Sequence, residues 1–165
     1  MLDVKVKSGG LLDKALKHIP ADVKTTLEVG LRNGATYPDG TSVAYVGYIN
    51  EYGRGNNPRR PFLKRTIKRR GRTWTGIARA TLQQYGFSDE GIHVALKRIG
   101  MTAVQDVKKT IAKWPPGDPR YNKPATIARK ARKGRSGKNM VAADPTRALH
   151  DTGEMLKNIT YEVVD

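Results

Sequence analysis

PFLKRTIKRRGRTWTGIARATLQQY, residues 61–85, and SDEGIHVALKRIGMTAVQDVKKTIAKW, residues 88–114, are separated only by Gly86 and Phe87. Apolar residues recur in both at helical spacing. In the first, Leu63, Ile67, Trp74, Ile77, Ala78, Leu82 and Tyr85 form a stripe interrupted by Gly71, the pattern of a helix that buries one face. Pro61 suits the first helical turn, where its missing N–H is among the donors that find no partner inside the helix. In the second, Ser88 is the expected N-cap, and Asp89 and Glu90 bring negative charge to the positive end of the helix dipole. Ile92, Leu96, Ile99, Ala103, Val107, Ile111 and Trp114 form its stripe, and Pro115-Pro116 stops it. Trp74 and Trp114 lie on these stripes, so both are expected in the core and not as stacking platforms for bases.

Around this helical pair the pattern changes. Leu2, Val4 and Val6 alternate with Asp3, Lys5 and Lys7 as in a half-buried strand, ended by Ser8-Gly9-Gly10. A short amphipathic helix is expected over Leu11–Ile19, stopped by Pro20. Val23 to Leu31 reads as a second strand, followed by turns at Asn33-Gly34 and Pro38-Asp39-Gly40. Ser42 to Tyr52 fits either state: its β-branched and aromatic residues favour a strand, whereas Val43, Val46, Ile49 and Asn50 share a helical face. From Pro115 to Pro145 the chain is rich in Pro, Gly, Lys, Arg and Asn and nearly devoid of large apolar residues, so it cannot bury enough surface to order itself alone. A brief helical turn near Ala125–Lys133 within a long extension is expected there. Asp151-Thr152-Gly153 then turns the chain, and Ile159, Tyr161 and Val163 alternate with polar neighbours as a last strand. The expected class is α+β, a small antiparallel β-sheet packed against two long helices, with a long basic Pro/Gly-rich arm over residues 115–148. At 165 residues the chain reads as a single domain spanning 1–165.

Composition narrows the function classes. Thirty-one Lys and Arg against fifteen Asp and Glu give a formal charge of +16, which calls for an anionic partner. Nine of the basic residues fall between Arg54 and Arg72 with no acid among them, and nine more between Lys113 and Lys138 against Asp118 alone. Clustering at this density favours a partner over a merely solvated face, because like charges repel unless something neutralises them. With no Cys, disulfide and thiolate chemistry and zinc ribbons are excluded, and a reducing compartment fits. Neither a signal peptide nor a membrane span is expected, since no long apolar run occurs.

Apparent catalytic motifs fail in context. Asp151-Thr152-Gly153 has the triplet of aspartic proteases, yet only twelve residues follow it, too few for the strands and flap such an enzyme needs. Gly134 to Asn139 lacks the first Gly of a phosphate-binding loop, where Arg132 stands, and has Asn139 in place of Ser or Thr. His18, His93 and His150 show no metal-ligand spacing. Glu51, the acid beside the first basic run, suits an ion pair or a cap better than general-base work. No catalytic residue, cofactor site or metal site is expected.

Four signatures occur in order: Val43 to Gly53 with its Asn50-Glu51-Tyr52-Gly53, then Arg60-Pro61-Phe62-Leu63, then Thr126-Ile127-Ala128-Arg129-Lys130, then Leu149 to Ile159 with its His150-Asp151-Thr152-Gly153-Glu154-Met155. Together they resemble those of tailed-phage tail-completion or neck proteins, the HK97 gp10-like and virion-morphogenesis group. Met155 stands where that group more usually has Leu, and the segment between Gly53 and Arg60 is basic and Asn-rich.

The resemblance implies a non-enzymatic structural virion protein of the neck, assembled in the bacterial cytoplasm, that joins the head connector to the tail. Its partners would be copies of itself in a homo-oligomeric ring, connector or adaptor proteins, and tail-terminator or tail-tube proteins, with room for contact with DNA in the channel; no membrane and no small-molecule substrate are implied. It also implies that Ser42–Tyr52 is helical and that the arm docks on a neighbour. Expected assembly-interface residues are Glu51, Tyr52, Arg59, Arg60 and Phe62 in the first basic region. Arg129, Lys130, Arg132 and Lys133 in the arm, and Asp151 after it, complete the set. Arg59 and Arg60 are expected to meet protein carboxylates, because tight phosphate contacts would retard DNA in passage. The competing expectation is a basic nucleic-acid-binding protein whose Arg54–Arg72 face tracks a phosphate backbone.

Overall fold

The computed structural model describes residues 25–114, 122–135, 149 and 152–165. The strand expected at residues 2–6, the helix at 11–19, the first residues of the second strand, and the arm at 115–121 and 136–148 lie outside them. In order, the elements are β1 (Thr26–Leu31), α1 (Val43–Tyr52), α2 (Phe62–Tyr85), α3 (Asp89–Ala112), α4 (Pro124–Arg135), α5 (Glu154–Lys157) and β2 (Ile159–Val164). The fold is α+β, with a two-stranded antiparallel sheet against the long helices.

In the sheet, Leu31 pairs with Ile159, Val29 with Tyr161 and Leu27 with Val163. Period-two alternation sends these residues to one face. There Val29, Leu31, Ile159 and Tyr161 pack with Val104, Val107 and Ile111 of α3. The approach is close at Gly100, where a Cβ would stand 2.3 Å from the Tyr161 ring. Gly100 thus marks the place where helix and sheet meet.

Between β1 and α1 both expected turns are present, with Gly34 and Gly40 at φ +77° and +82°, a region that Gly enters at little strain. Ser42 accepts from the Tyr45 N–H at 3.3 Å and starts α1, so the ambiguous segment is a helix. Val43, Gly47 and Glu51, four residues apart, form its buried face. Gly47 sits against Leu31, where a Cβ would be 2.0 Å from Leu31 Cδ1. Gly53, at φ +76°, ends the helix and its N–H donates to Ile49 O.

Helices α2 and α3 form an antiparallel hairpin around Gly86, and Ser88 caps α3 by accepting from the Gly91 N–H at 3.2 Å. The seam of α2 departs from the sequence expectation. Its enclosed residues are Phe62, Thr66 and Thr81, while Leu63, Ile67, Trp74, Ile77, Ala78 and Leu82 are half-buried and Tyr85 is exposed. Phe62, not Leu63, enters the core beside Val43 and Ile111. Thr66 can sit in the seam because its hydroxyl lies 2.8 Å from Phe62 O and 2.7 Å from Thr110 Oγ1, so its polar atom is satisfied. Trp114 is buried as expected, whereas Trp74 is half-buried and donates Nε1–H to Asp106 Oδ2 at 3.0 Å.

The arm contains more structure than a brief turn. Helix α4 runs for 12 residues, with the N–H groups of Thr126 and Ile127 donating to Lys123 O. Lys130 on this helix is buried. Thr126, Arg129 and Lys130 on one side of α4 line a cleft with Asn50, Asn57 and Arg60. Met155 of α5 joins the core, where its flexible thioether fills the space beside Ile159. No helix among the described residues is long and apolar enough to cross a membrane.

Candidate functional site

The Asn50-Glu51-Tyr52-Gly53 and Arg60-Pro61-Phe62-Leu63 signatures form one joint. With Pro61 at its N-cap, α2 has no side chain of its own to receive the first-turn N–H groups. Glu51, arriving at the end of α1, supplies the acceptors: Oε2 takes the Leu63 N–H at 2.9 Å and Oε1 the Lys64 N–H at 3.0 Å. A carboxylate at a helix N-terminus is favoured both by the hydrogen bonds and by the dipole. Arg59 Nε–H donates to Glu51 O at 3.2 Å. Arg60 is buried; its N–H donates to Asn50 O and its Nη1–H to Asn50 Oδ1 at 3.2 Å.

Two of the expected interface residues are thereby corrected. Phe62 is fully enclosed in the core, and Glu51 is 3% exposed with its carboxylate held by α2. Neither presents a surface to a neighbour, because an apolar first residue and an orphaned helix end both find their partners within the chain. Arg60 and Lys130 are also buried and, with Arg129, line a polar cleft of about 210 Å³ between α1, α4 and the segment before α5. Asn50, Asn57, Asn122 and Thr152 contribute further polar groups to its wall. The structure thus brings residues of all four signatures together around one cleft. Arg132 is exposed. Lys133 belongs to α4, but its side chain, like all of Asp151, lies outside the described residues.

Tyr52 belongs to a surface that the sequence reading did not single out. Tyr45, Tyr48 and Tyr52 are 46%, 54% and 38% exposed and stand at i, i+3 and i+7 of α1, opposite its buried face. Tyr48 and Tyr52 rings lie 5.0 Å apart at 38°. Arg54 donates Nη1–H to Tyr45 Oη at 2.6 Å, with its guanidinium 5.8 Å from the ring centre. The spacing was available in the sequence, but it carried meaning only once Ser42–Tyr52 was taken as a helix.

A second unanticipated surface lies between α2 and α3. Arg65, Arg69, Arg70, Lys109 and Lys113 line an open groove of about 300 Å³ around Thr110 and, among the described residues, a single carboxylate, Asp106. Asp106, nearly buried, accepts from both Arg70 Nε and Trp74 Nε1 at 3.0 Å. The Arg65 guanidinium lies 5.1 Å from the Trp114 ring centre. Among the described residues no group of three or more His, Cys, Asp or Glu side chains is arranged to hold a metal ion. In comparison with known proteins, the chain matches no family model, no curated protein and no solved structure.

Proposed function

We propose that this chain is a structural subunit of a tailed-phage neck or tail-completion ring, joining the head connector to the tail by contact and not by catalysis. The observation that carries this reading is the tyrosine row of α1. Three exposed aromatic side chains on one rigid helix, flanked by Arg54, are the residue types that anchor protein–protein contacts. Tyr offers large contact area with few rotatable bonds, so little freedom is lost when it is covered. A ring subunit needs such a patch on one side to fit a different surface on its neighbour. The convergence of the ordered signatures on one joint and one cleft agrees with the family resemblance that first suggested this role.

The test is made in particles. With Tyr48→Ser and Tyr52→Ser introduced together into the viral genome that encodes the chain, electron microscopy is expected to show DNA-filled heads and separate tails. The purified variant should melt as the parent does. Infectious, normally tailed particles from the double variant would overturn the proposal, as would flanking reading frames that encode neither connector nor tail components.

A further inference from the structure

We propose that the groove between α2 and α3 is a binding site for the phosphate backbone of duplex DNA. Thr66 meets Thr110 and Arg70 meets Asp106 across the seam, and beside these contacts Arg65 and Arg69 of α2 and Lys109 and Lys113 of α3 line the same groove. On each helix the two cations stand four residues apart, about 6 Å along the axis at 1.5 Å rise per residue. Each strand of duplex DNA offers a charge roughly every 3.4 Å along the axis. The two helices together therefore offer cations to a short run of phosphates.

Like charges gathered along a groove repel one another, and an anion bound there relieves that repulsion. Among the described residues the one carboxylate of the groove is already engaged, since Asp106 Oδ2 accepts from Arg70 and Trp74. Among them no acid pairs with Arg65, Arg69, Lys109 or Lys113. Arg65 stacks its guanidinium against Trp114. Arg69, Lys109 and Lys113 are exposed and open to an anionic ligand in place of solvent counterions.

Three features select the duplex backbone. An acidic protein surface would be expected to insert beside aromatic or aliphatic anchors, but the groove is lined by charged side chains and one threonine. Single strands bind by stacking bases on exposed aromatic rings, yet Trp114 is buried and Trp74 is half-buried with its N–H committed. A row of Lys and Arg without base-reading partners suits sequence-independent contact with phosphates. The inference is independent of the tyrosine row and of the neck reading.

Fluorescence anisotropy of the full 165-residue chain with a labelled duplex of about 24 base pairs, across 50–200 mM salt, tests it. Log affinity is expected to fall with log salt at a slope near −4, about −0.9 for each of four to five phosphates contacted. Reversing one groove cation on each helix with Arg69→Glu and Lys109→Glu should weaken binding at least tenfold at 100 mM salt and make the slope shallower by about 2. A charge-matched control, Arg79→Glu with Lys97→Glu on exposed positions elsewhere, should retain most of the affinity. Equal loss in both variants would reduce the effect to net charge and overturn the site. So would tighter binding of an equal-length single strand, more effective competition by polyglutamate than by unlabelled duplex, or no binding at 50 mM salt.

Discussion

The α1–α2 joint and the α2–α3 groove draw on the same basic run, Arg54 to Arg72, and treat it in opposite ways. At the joint the cations are turned inward or sideways onto the chain: Arg54 to Tyr45, Arg59 to the Glu51 carbonyl, Arg60 to Asn50. In the groove Arg65 and Arg69 of α2 lie with Lys109 and Lys113 of α3 around the occupied carboxylate of Asp106. Charge density is similar in the two stretches, and what separates them is the supply of nearby acceptors. A chain turning between two helices exposes carbonyls and side-chain amides that can hold Arg, whereas the flank of an intact helix has already used its carbonyls internally. The joint consequently uses its cations within the chain, whereas Arg65 and Arg69 in the groove have no acidic partner among the described residues.

Substitutions can sharpen or break this contrast. The largest effect should come at the joint from Phe62→Ala, expected to destabilise the chain by about 3–5 kcal/mol in urea titration, because it empties a site that is fully enclosed. A loss under about 1 kcal/mol would show that the joint is not part of the core. Next comes Asp106→Ala, at about 2 kcal/mol, since it leaves the Trp74 N–H and the Arg70 guanidinium without their shared acceptor. The same change removes the only carboxylate that the described residues bring to the groove, so folded protein should bind the duplex more tightly than the parent. Weaker binding by Asp106→Ala would count against an unopposed cationic groove.

Glu51→Gln should lower stability by about 1–2 kcal/mol, because the amide keeps one acceptor for α2 but turns an N–H₂ group toward the other backbone donor. Thermal melting of this variant, compared with Glu51→Ala, separates the lost charge from the lost cap. The exposed variants, Tyr48→Ser with Tyr52→Ser and Arg69→Glu with Lys109→Glu, come last. Each single change should lie within about 0.5 kcal/mol of the parent. Any failure they show in assembly or in DNA binding is then a failure of contact and not of folding.

Much of the frame was legible because it depends on local chemistry. Ser88, Asp89 and Glu90 announce a helix start whatever surrounds them, and Pro115-Pro116 announces its end. Alternation across Leu27, Val29 and Leu31 and across Ile159, Tyr161 and Val163 marks two strands, and Val29, Leu31, Ile159 and Tyr161 of them pack on the core. The stripe of α2 was placed one residue late, on Leu63 and Ile67, because apolar periodicity takes no account of a threonine that satisfies its hydroxyl and packs its methyl group. Phe62 and Glu51 were expected to meet a neighbour for a related reason: both stand in a conspicuous, charge-rich turn, and no local pattern reveals that the turn folds back on itself.

By itself, then, the sequence determined the α+β class, the helical hairpin with its cap and stop, the strand faces and the excess of positive charge. Tertiary structure alone decided which charges are consumed inside the chain and which are left without an acidic partner among the described residues. Glu51 meets α2 twelve and thirteen residues on, Arg70 meets Asp106 thirty-six residues on, and the tyrosines of α1 face outward only because Val43 and Gly47 face in. Periodicity reports the face of one element, but the fate of a charged side chain depends on which acceptor the packing of distant elements brings within reach.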